Sequence, residues 1–343
     1  MSQVTEVVVP HFKAFAEVVV VVADAAPVLR VFQEVAGYEL LHQGQPAAAL
    51  DRLNYCGAGT GQEWLLARPG CTHGRLRLMC LSNQAGEPRP GLQREDDQPW
   101  DPGGLFDFNL RVRDAAAIAQ ALRERGWRGE APPVRWRLGE LEVVEWLANG
   151  PDGLRVACIQ RLVPPLPEAD RQPVCGEVFN SSQIVSDEAL ALRFYCEGLG
   201  FRLRMVHETA NFFDAENVFG LPPKLARGQR LRIVLLDPPG GPGMLELISF
   251  PGLKGRDWSA QCRPPRRGLA ALRFEVAGLE AWARRLAGHF PAAVGTPLRC
   301  ELAPFGPVDL LAVESPEGAR IELFEREIRA AKPTKLTLDL EME

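Results

Sequence analysis

Charged residues of both signs interrupt three strongly apolar runs in the C-terminal half of the chain. Glu246 lies in MLELISF (244–250), Arg273 in AALRFEV (270–276) and Glu322 in ARIELFE (319–325). Two-residue alternation predicts strands, so the charges of each run share a face with its apolar neighbours. Two carboxylates in one confined pocket shift each other's pKa, which suits one to general-base and the other to general-acid catalysis. An arginine beside them can hold a substrate carboxylate or phenolate, or stabilise an enolate.

A structural role is the alternative for the same residues. Buried charges are costly unless they are paired, and Glu246 or Glu322 can form an ion-pair network with Arg273 or Arg320. The sequence leaves both interpretations open.

Composition excludes several classes of partner. The chain has 343 residues, 46% of them apolar and 24% charged, with a formal net charge of -5. This length favours two domains, and the charge offers no basic surface for nucleic acid or anionic lipid. The start of the chain lacks a secretory-signal pattern, and VVVVV at 18–22 is too short to span a bilayer. Eight scattered cysteines without a CxxC pair indicate reduced thiols, so we expect a cytoplasmic protein without membrane association.

The chain contains an internal duplication. RVFQEVAGY at 30–38 matches RFYCEGLGF at 193–201 with an offset of 163 residues, without a gap. PDGLRV at 151–156 matches PEGARI at 316–321 with an offset of 165 residues. Because the offset changes so little over this length, we infer two copies of one domain.

Each copy divides again into two units of strand, helix and about three strands. The strand and helix that open the units lie at 18–40, 106–128, 178–203 and 270–290. We therefore predict an N-terminal domain (1–162), a linker (163–175), a C-terminal domain (176–327) and a tail (328–343). Connectors rich in Pro and Gly, at 82–104 and 251–268, separate the two units within each domain.

This pattern resembles the vicinal oxygen chelate superfamily, the group of glyoxalases, bleomycin-resistance proteins and extradiol dioxygenases. The resemblance rests on the paired units, on FY..GLGF closing a first helix and on P.G..IEL in the last strand, and it covers residues 12–162 and 176–327. It implies an α+β fold of two tandem domains, each with paired βαβββ units that form a cup-shaped mixed sheet.

The resemblance also supplies positions at which metal ligands project into the cup. They fall on Asn180, Glu246, Ala271 and Glu322 in the C-terminal domain, and on Glu17, Arg77, Asp107 and Ala157 in the N-terminal domain. Iron and zinc sites prefer imidazole and need three or more donors, and no His occupies any of these positions. We therefore expect no cofactor. A weak divalent-metal site at Asn180, Glu246 and Glu322, with a neighbour such as His207, is the alternative.

Alternation along the strands extends this set to a predicted C-terminal cup. We predict Glu322 as the base and Glu246 as its catalytic partner. The predicted substrate-binding residues are Asn180, Arg273, Arg320, Glu275, Phe324, Met244 and Ile248. The N-terminal cup, with Glu17, Arg77, Asp107, Asn109, Arg111 and Arg155, is mixed in charge, and there the structural role carries more weight.

These residues predict a small-molecule enzyme with metal-independent isomerase or lyase chemistry on a carbonyl or aromatic compound. A non-catalytic protein that sequesters a ligand, of bleomycin-resistance type, is the alternative. The donor count disfavours a metal-dependent glyoxalase or dioxygenase. We expect a monomer or a homodimer.

Overall fold

The computed structural model describes residues 10–82, 89–167, 174–209 and 217–327. They form four βαβββ units in chain order. The first unit comprises β1 (His11–Val21), α1 (Ala26–Glu34), β2 (Glu39–Gly44), β3 (Gln62–Ala67) and β4 (Arg75–Cys80). The second comprises β5 (Asp107–Val112), α2 (Ala115–Arg123), β6 (Arg128–Gly129), β7 (Val134–Leu138), β8 (Leu141–Asn149) and β9 (Arg155–Val163).

The second half repeats this order. The third unit comprises β10 (Cys175–Ile184), α3 (Glu188–Leu192, continued as a π-helical turn over Arg193–Gly198), β11 (Arg202–Thr209), α4 (Pro223–Ala226), β12 (Leu231–Asp237) and β13 (Met244–Ser249). The fourth comprises β14 (Gly268–Ala277), α5 (Leu279–His289), β15 (Leu298–Leu302), β16 (Gly306–Glu314) and β17 (Arg320–Arg326). The predicted tail and parts of the predicted connectors lie outside the described residues.

Helix boundaries follow signals in the sequence. Asp187 caps α3, since its Oδ1 accepts a hydrogen bond from the Leu190 backbone N–H at 2.9 Å. After α1 and α3 the chain turns at Gly37 and Gly200, with φ of 72° and 73°. Glycine adopts this left-handed conformation at little cost, which explains the repeated Gly before each second strand.

The first unit pairs with the fourth, and the second unit pairs with the third. β1 of the first unit pairs antiparallel with β14 of the fourth, in an eight-stranded sheet of order β15-β16-β17-β14-β1-β4-β3-β2. β5 of the second unit pairs antiparallel with β10 of the third, in a nine-stranded sheet. We call these the outer-unit sheet and the inner-unit sheet, and the enclosed face of each sheet its cup.

This pairing corrects the expectation that each half of the chain closes its own cup. All four units present the same kind of edge, the first strand, to a partner, so the repeat in the sequence does not specify which two edges meet. The mixed α+β fold with two curled sheets is confirmed, whereas each cup takes one unit from each half. The predicted linker at residues 163–175 divides the two copies of the duplicated sequence, and its role as a boundary between domains stays a prediction.

The main core lies against one face of both sheets and under the helices. Alternate residues of β1 show the division: Val18 and Val20 pack in this core, whereas Val19 and Val21 pack in a smaller cluster inside the outer cup. A third cluster, with Phe106 among its members, fills part of the inner cup. Within the described ranges, no helix combines the length and apolar character needed to cross a bilayer.

Candidate functional site

The outer cup contains a fully buried ion-pair cluster. The Arg77 Nε donates to Glu17 Oε1 at 2.7 Å, and the Arg273 Nη1 donates to the same oxygen at 2.8 Å. The Arg273 Nε also donates to Glu322 Oε2 at 2.6 Å. All four side chains are completely shielded from solvent. The strand register explains the contacts, because Arg273 lies opposite Glu17 on one side and Glu322 on the other.

A segment between β2 and β3 closes this cluster off. The Tyr55 hydroxyl donates to Glu322 Oε1 at 2.9 Å, and the Arg320 Nε donates to the same oxygen at 2.8 Å. The Arg320 Nη2 in turn donates to the Leu53 carbonyl at 2.9 Å. Burial alone raises the pKa of Glu322, but Arg273 and Arg320 outweigh it and bring the pKa to about 2. Glu322 is therefore an ionised, fully paired carboxylate.

The inner cup differs, because it opens onto a cavity of about 170 Å³. Its apolar wall comes from β7, β8, β9, β12 and β13 and includes Trp136, Leu138, Val143, Ile159, Leu235 and Met244. Its polar lining includes the carboxyl groups of Glu145 and Glu246 and the amide of Asn180. Three arginines, Arg111, Arg161 and Arg204, complete the lining.

Glu246 is the acid at the centre of this cup. Its Oε2 accepts hydrogen bonds from Asn180 Nδ2 at 3.2 Å, from Asn109 Nδ2 at 3.3 Å and from the Ser182 hydroxyl at 3.4 Å. Burial and the nearby carboxyl group of Asp107 raise the pKa of Glu246 to about 7, although these three hydrogen bonds oppose the rise. Glu246 therefore exchanges its proton near neutral pH.

Two further acids interact with Glu246. Glu145 accepts a hydrogen bond from Trp136 Nε1 at 2.9 Å, and burial, followed by the charges of Glu246 and Asp107, raises its pKa to about 8. Burial raises the pKa of Asp107 to about 6, against hydrogen bonds from Ser182. Because the three acids repel one another's charge, the cup holds at least one proton at pH 7.

The structure separates residues that we predicted to share one cup. Asn180, Glu246, Met244 and Ile248 belong to the inner-unit sheet, whereas Arg273, Glu275, Arg320, Glu322 and Phe324 belong to the outer-unit sheet. The predicted N-terminal set divides likewise, with Glu17 and Arg77 in the outer sheet and Asp107, Asn109, Arg111 and Arg155 in the inner sheet.

Several residues that we predicted to line the cups have structural partners. Phe324 packs on Phe305 with ring centroids 4.8 Å apart, and Ile248 is buried in the cluster of the inner cup. Glu275 pairs with Arg326 at 2.6 Å. Arg155 donates two hydrogen bonds to Asp97, each of 2.8 Å. These side chains thus pack in the core or form ion pairs within the protein.

The donor sets do not fit a metal ion. In the outer cup, guanidinium groups lie where a cation would need free carboxylates. In the inner cup, two amide N–H groups point at Glu246. The weak set of Asn180, Glu246 and Glu322 is divided between two sheets. The His207 Nδ1 accepts a hydrogen bond from the Gly139 N–H at 3.2 Å. Within the described ranges, no three His, Cys, Asp or Glu side chains are arranged to hold a metal.

Sequence reasoning missed Glu145, Arg161 and Arg204. A signal for Glu145 exists, because it lies among apolar residues in ELEVVEWLA and alternates with Val143 and Leu147. The superfamily positions do not point to it, because they fall only on first and last strands and Glu145 lies on the strand before the last.

Comparison with solved structures defines the fold. Glyoxalase I from Zea mays aligns with a TM-score of 0.60 at 15% identity, over 92% of this chain and 92% of that one. A putative dioxygenase from Bacillus subtilis aligns with a TM-score of 0.56 at 11% identity, over 92% of this chain and 86% of that one. The chain therefore has the vicinal oxygen chelate fold, as the sequence pattern predicts. No protein-family model and no curated protein matches its sequence.

Proposed function

We propose that the protein is an enzyme that transfers a proton on a small carbonyl or aromatic compound, with isomerase or lyase chemistry, in the inner cup. The observation that supports it best is Glu246, a buried carboxyl group with a pKa of about 7 that faces a cavity of about 170 Å³. A general base works best when its pKa lies near the operating pH.

Two acids with different proton affinities divide the chemistry between them. At pH 7 Glu145, with a pKa of about 8, is mostly protonated, whereas Glu246, with a pKa of about 7, is ionised in about half of the molecules. Ionised Glu246 removes a proton from the carbon beside the substrate carbonyl, and the C–H electron pair becomes the C=C bond of an enolate. Protonated Glu145 returns a proton to the enolate, and the two carboxyl groups then exchange roles. No electron is gained or lost.

This proposal keeps Glu246 as a catalytic residue but gives it the role of base, which the sequence prediction assigned to Glu322. Glu145 takes the role of its catalytic partner. Glu322 has a pKa of about 2 and no exposed surface, and its oxygens are held by Arg273, Arg320 and Tyr55. A carboxylate so paired is a weak base without a path to substrate. Its contacts support the alternative structural interpretation for this residue.

We propose that proton transfer needs no metal, because the donor set of the inner cup lacks imidazole and carries amide donors. We propose a monomer or a homodimer with a small-molecule substrate. The eight cysteines are unpaired thiols, which supports a cytoplasmic, reducing environment.

Solvent deuterium exchange tests the chemistry directly. A panel of 2-oxo acids and aryl ketones is incubated with the protein in D₂O, and loss of the proton beside the carbonyl is followed by ¹H NMR. We expect Glu246→Gln to slow exchange by at least about 100-fold, the scale of general-base catalysis. Glu208→Gln is the control, because this residue lies on β11, is exposed and does not line the cavity.

The same panel distinguishes catalysis from the alternative function, ligand sequestration. Tight stoichiometric binding without exchange or product identifies a protein that sequesters its ligand, and unchanged exchange in Glu246→Gln removes this residue from the mechanism. Metal analysis of protein purified without chelator adds an independent check, and stoichiometric iron, manganese, nickel or zinc would contradict the metal-free proposal.

A further inference from the structure

Three guanidinium groups from three different strands reach the cavity of the inner cup. Arg111 lies on β5, Arg161 on β9 and Arg204 on β11, and all three line the cavity. None of them belongs to the acid cluster around Glu246. Because distant parts of the chain contribute them, their convergence is a property of the folded cup and is not visible as a basic run in the sequence.

These arginines lack adequate negative partners among the described residues. The Nε of Arg161 is buried and has no hydrogen-bond partner there. Burial lowers the pKa of Arg161, and the positive charges of Arg111 and Arg204 lower it further, without a compensating carboxylate. Arg204 has a single exposed ion pair, with Asp237 at 3.1 Å. Arg111 lies over the ring of Phe179, with 4.6 Å from its guanidinium carbon to the ring centroid, which orients the side chain without neutralising it.

Strand register places this positive charge to one side of Glu246. Asn109, which bonds to Glu246, lies opposite Ala157, and Arg111 lies opposite Ile159. Arg111 is therefore two residues further along β5 than Asn109, and Arg161 is two residues further along β9 than Ile159, at about 3.3 Å per residue. The cavity thus has an acid at Glu246, and Arg111 and Arg161 add positive charge further along β5 and β9.

The size of the cavity limits what can lie there. An apolar cavity of about 150 Å³ accommodates a benzene molecule. The inner cavity, at about 170 Å³, accordingly suits one aromatic ring or an aliphatic group of similar size. Trp136, Leu138 and Ile159 supply the apolar surface against which such a group packs.

We propose that the ligand of the inner cup is a small organic carboxylate, whose anionic group binds Arg161 between Arg111 and Arg204 while its single apolar group fills the cavity. Guanidinium groups match a carboxylate with paired hydrogen bonds, and three cations that share one exposed counter-charge, Asp237 beside Arg204, favour an anion over a neutral molecule. This proposal names the substrate class for the function proposed above. The claim that the ligand reacts rests on that function, whereas the claim that the ligand binds does not.

Matched acids and amides test the proposal. Binding of phenylacetate and 3-phenylpropionate is measured by calorimetry against the corresponding primary amides, which keep the shape and lose the charge. We expect each acid to bind at least tenfold more tightly than its amide, and this preference to fall as NaCl is raised. Arg161→Gln should remove most of the preference, whereas the control Arg137→Gln, a highly exposed arginine on β7, should keep it.

Other outcomes overturn the proposal or separate it from the catalytic one. Equal affinity for acid and amide, or a preference that survives in Arg161→Gln, contradicts anion recognition by the arginines. Displacement of 3-phenylpropionate by inorganic phosphate at equal concentration contradicts the carboxylate assignment. Glu246→Gln should retain the acid preference, so loss of exchange without loss of binding supports both proposals. If Glu246→Gln retains exchange while acid binding still depends on Arg161, only the catalytic proposal is contradicted.

Discussion

Asn109 and Asn180 lie directly opposite each other across the antiparallel β5–β10 pair, and both donate a side-chain N–H to one oxygen, Glu246 Oε2. The first strands of the two inner units thus place equivalent amides on either side of a single acid. These bonds stabilise the ionised form of Glu246 and keep its pKa near 7 in spite of burial.

Removing one of these donors should raise the pKa of Glu246. In Asn180→Leu, a side chain of similar size that lacks a hydrogen-bond donor replaces the amide, so the ionised Glu246 carboxylate loses one hydrogen bond. We expect the pKa to rise from about 7 by about one unit. Titration of ¹³C-labelled glutamate by NMR measures the shift. Asn149→Leu, which removes an amide at the end of β8 that bonds Glu130, is the control, and an unchanged or lower pKa in Asn180→Leu would contradict the assignment.

Glu322→Gln should destabilise the protein strongly. It leaves Arg273 and Arg320 without their shared counter-charge in a solvent-free cluster, which costs about 3–5 kcal/mol. Urea denaturation at pH 7 measures the loss. Glu314→Gln removes the more exposed partner of Arg320, 3.3 Å away, and should change the free energy of unfolding by less than about 1 kcal/mol.

The pH dependence of the Glu322 effect follows from its low pKa. The group is ionised in the folded state down to about pH 2, whereas in the unfolded chain it takes up its proton near pH 4.5. Its contribution to stability is therefore present above pH 4.5 and is lost as pH falls toward 2. The difference between the wild type and Glu322→Gln should narrow over that interval; a constant difference would argue against a charge effect.

Glu246→Gln should have the opposite effect on stability. Because the folded-state pKa of about 7 exceeds the value of 4.5 expected in the unfolded chain, folding favours the protonated acid. The wild type loses this stabilisation as pH rises from 4.5 to 7, and Gln does not titrate. We expect the two proteins to agree near pH 4.5 and the variant to be more stable by about 3 kcal/mol above pH 8. Denaturation over pH 4.5 to 9 tests this, with Glu208→Gln as the exposed control.

Tyr55→Phe should cost more than Tyr38→Phe. Both hydroxyls donate a hydrogen bond of 2.9 Å, but Tyr55 donates to the Glu322 carboxylate and Tyr38 donates to the Gly176 carbonyl. Hydrogen bonds to charged groups contribute about 1.5–3 kcal/mol, against about 1 kcal/mol for neutral partners. Equal losses in the free energy of unfolding would show that Tyr55 closes the outer cup by shape alone.

Local signals in the sequence predicted the units of this fold, and their pairing needed the structure. Asp187 and Gly200 mark the start and end of α3 because capping and left-handed turns depend only on nearby residues. The choice between β1–β14 and β1–β5 pairing depends on contacts across the whole molecule, and the repeated units make the two choices look alike. Reasoning from the half-chains therefore combined Glu246 with Glu322, which lie in different sheets.

Only part of the candidate site could be predicted, because the sequence indicates contacts within one unit and not contacts between units. The superfamily positions predicted Glu246 and Asn180, and both lie on neighbouring strands of one unit, so their contact does not depend on how the units pair. The ion pair of Glu322 with Arg273, which we considered as the structural alternative, is also local to one unit. Glu145 and Arg161 belong to the second unit, and their approach to Glu246 of the third depends on the pairing of the inner units.

The outer–inner arrangement also sets an order of assembly. The inner units are consecutive in the chain, so their sheet can form once synthesis has passed β13. The outer sheet joins β1 to β14, which are separated by most of the chain, and β1 must remain without its partner until the last unit emerges. Nascent protein should therefore acquire the ligand cavity before the ion-pair cluster, and the exposed first strand should make early intermediates prone to aggregation.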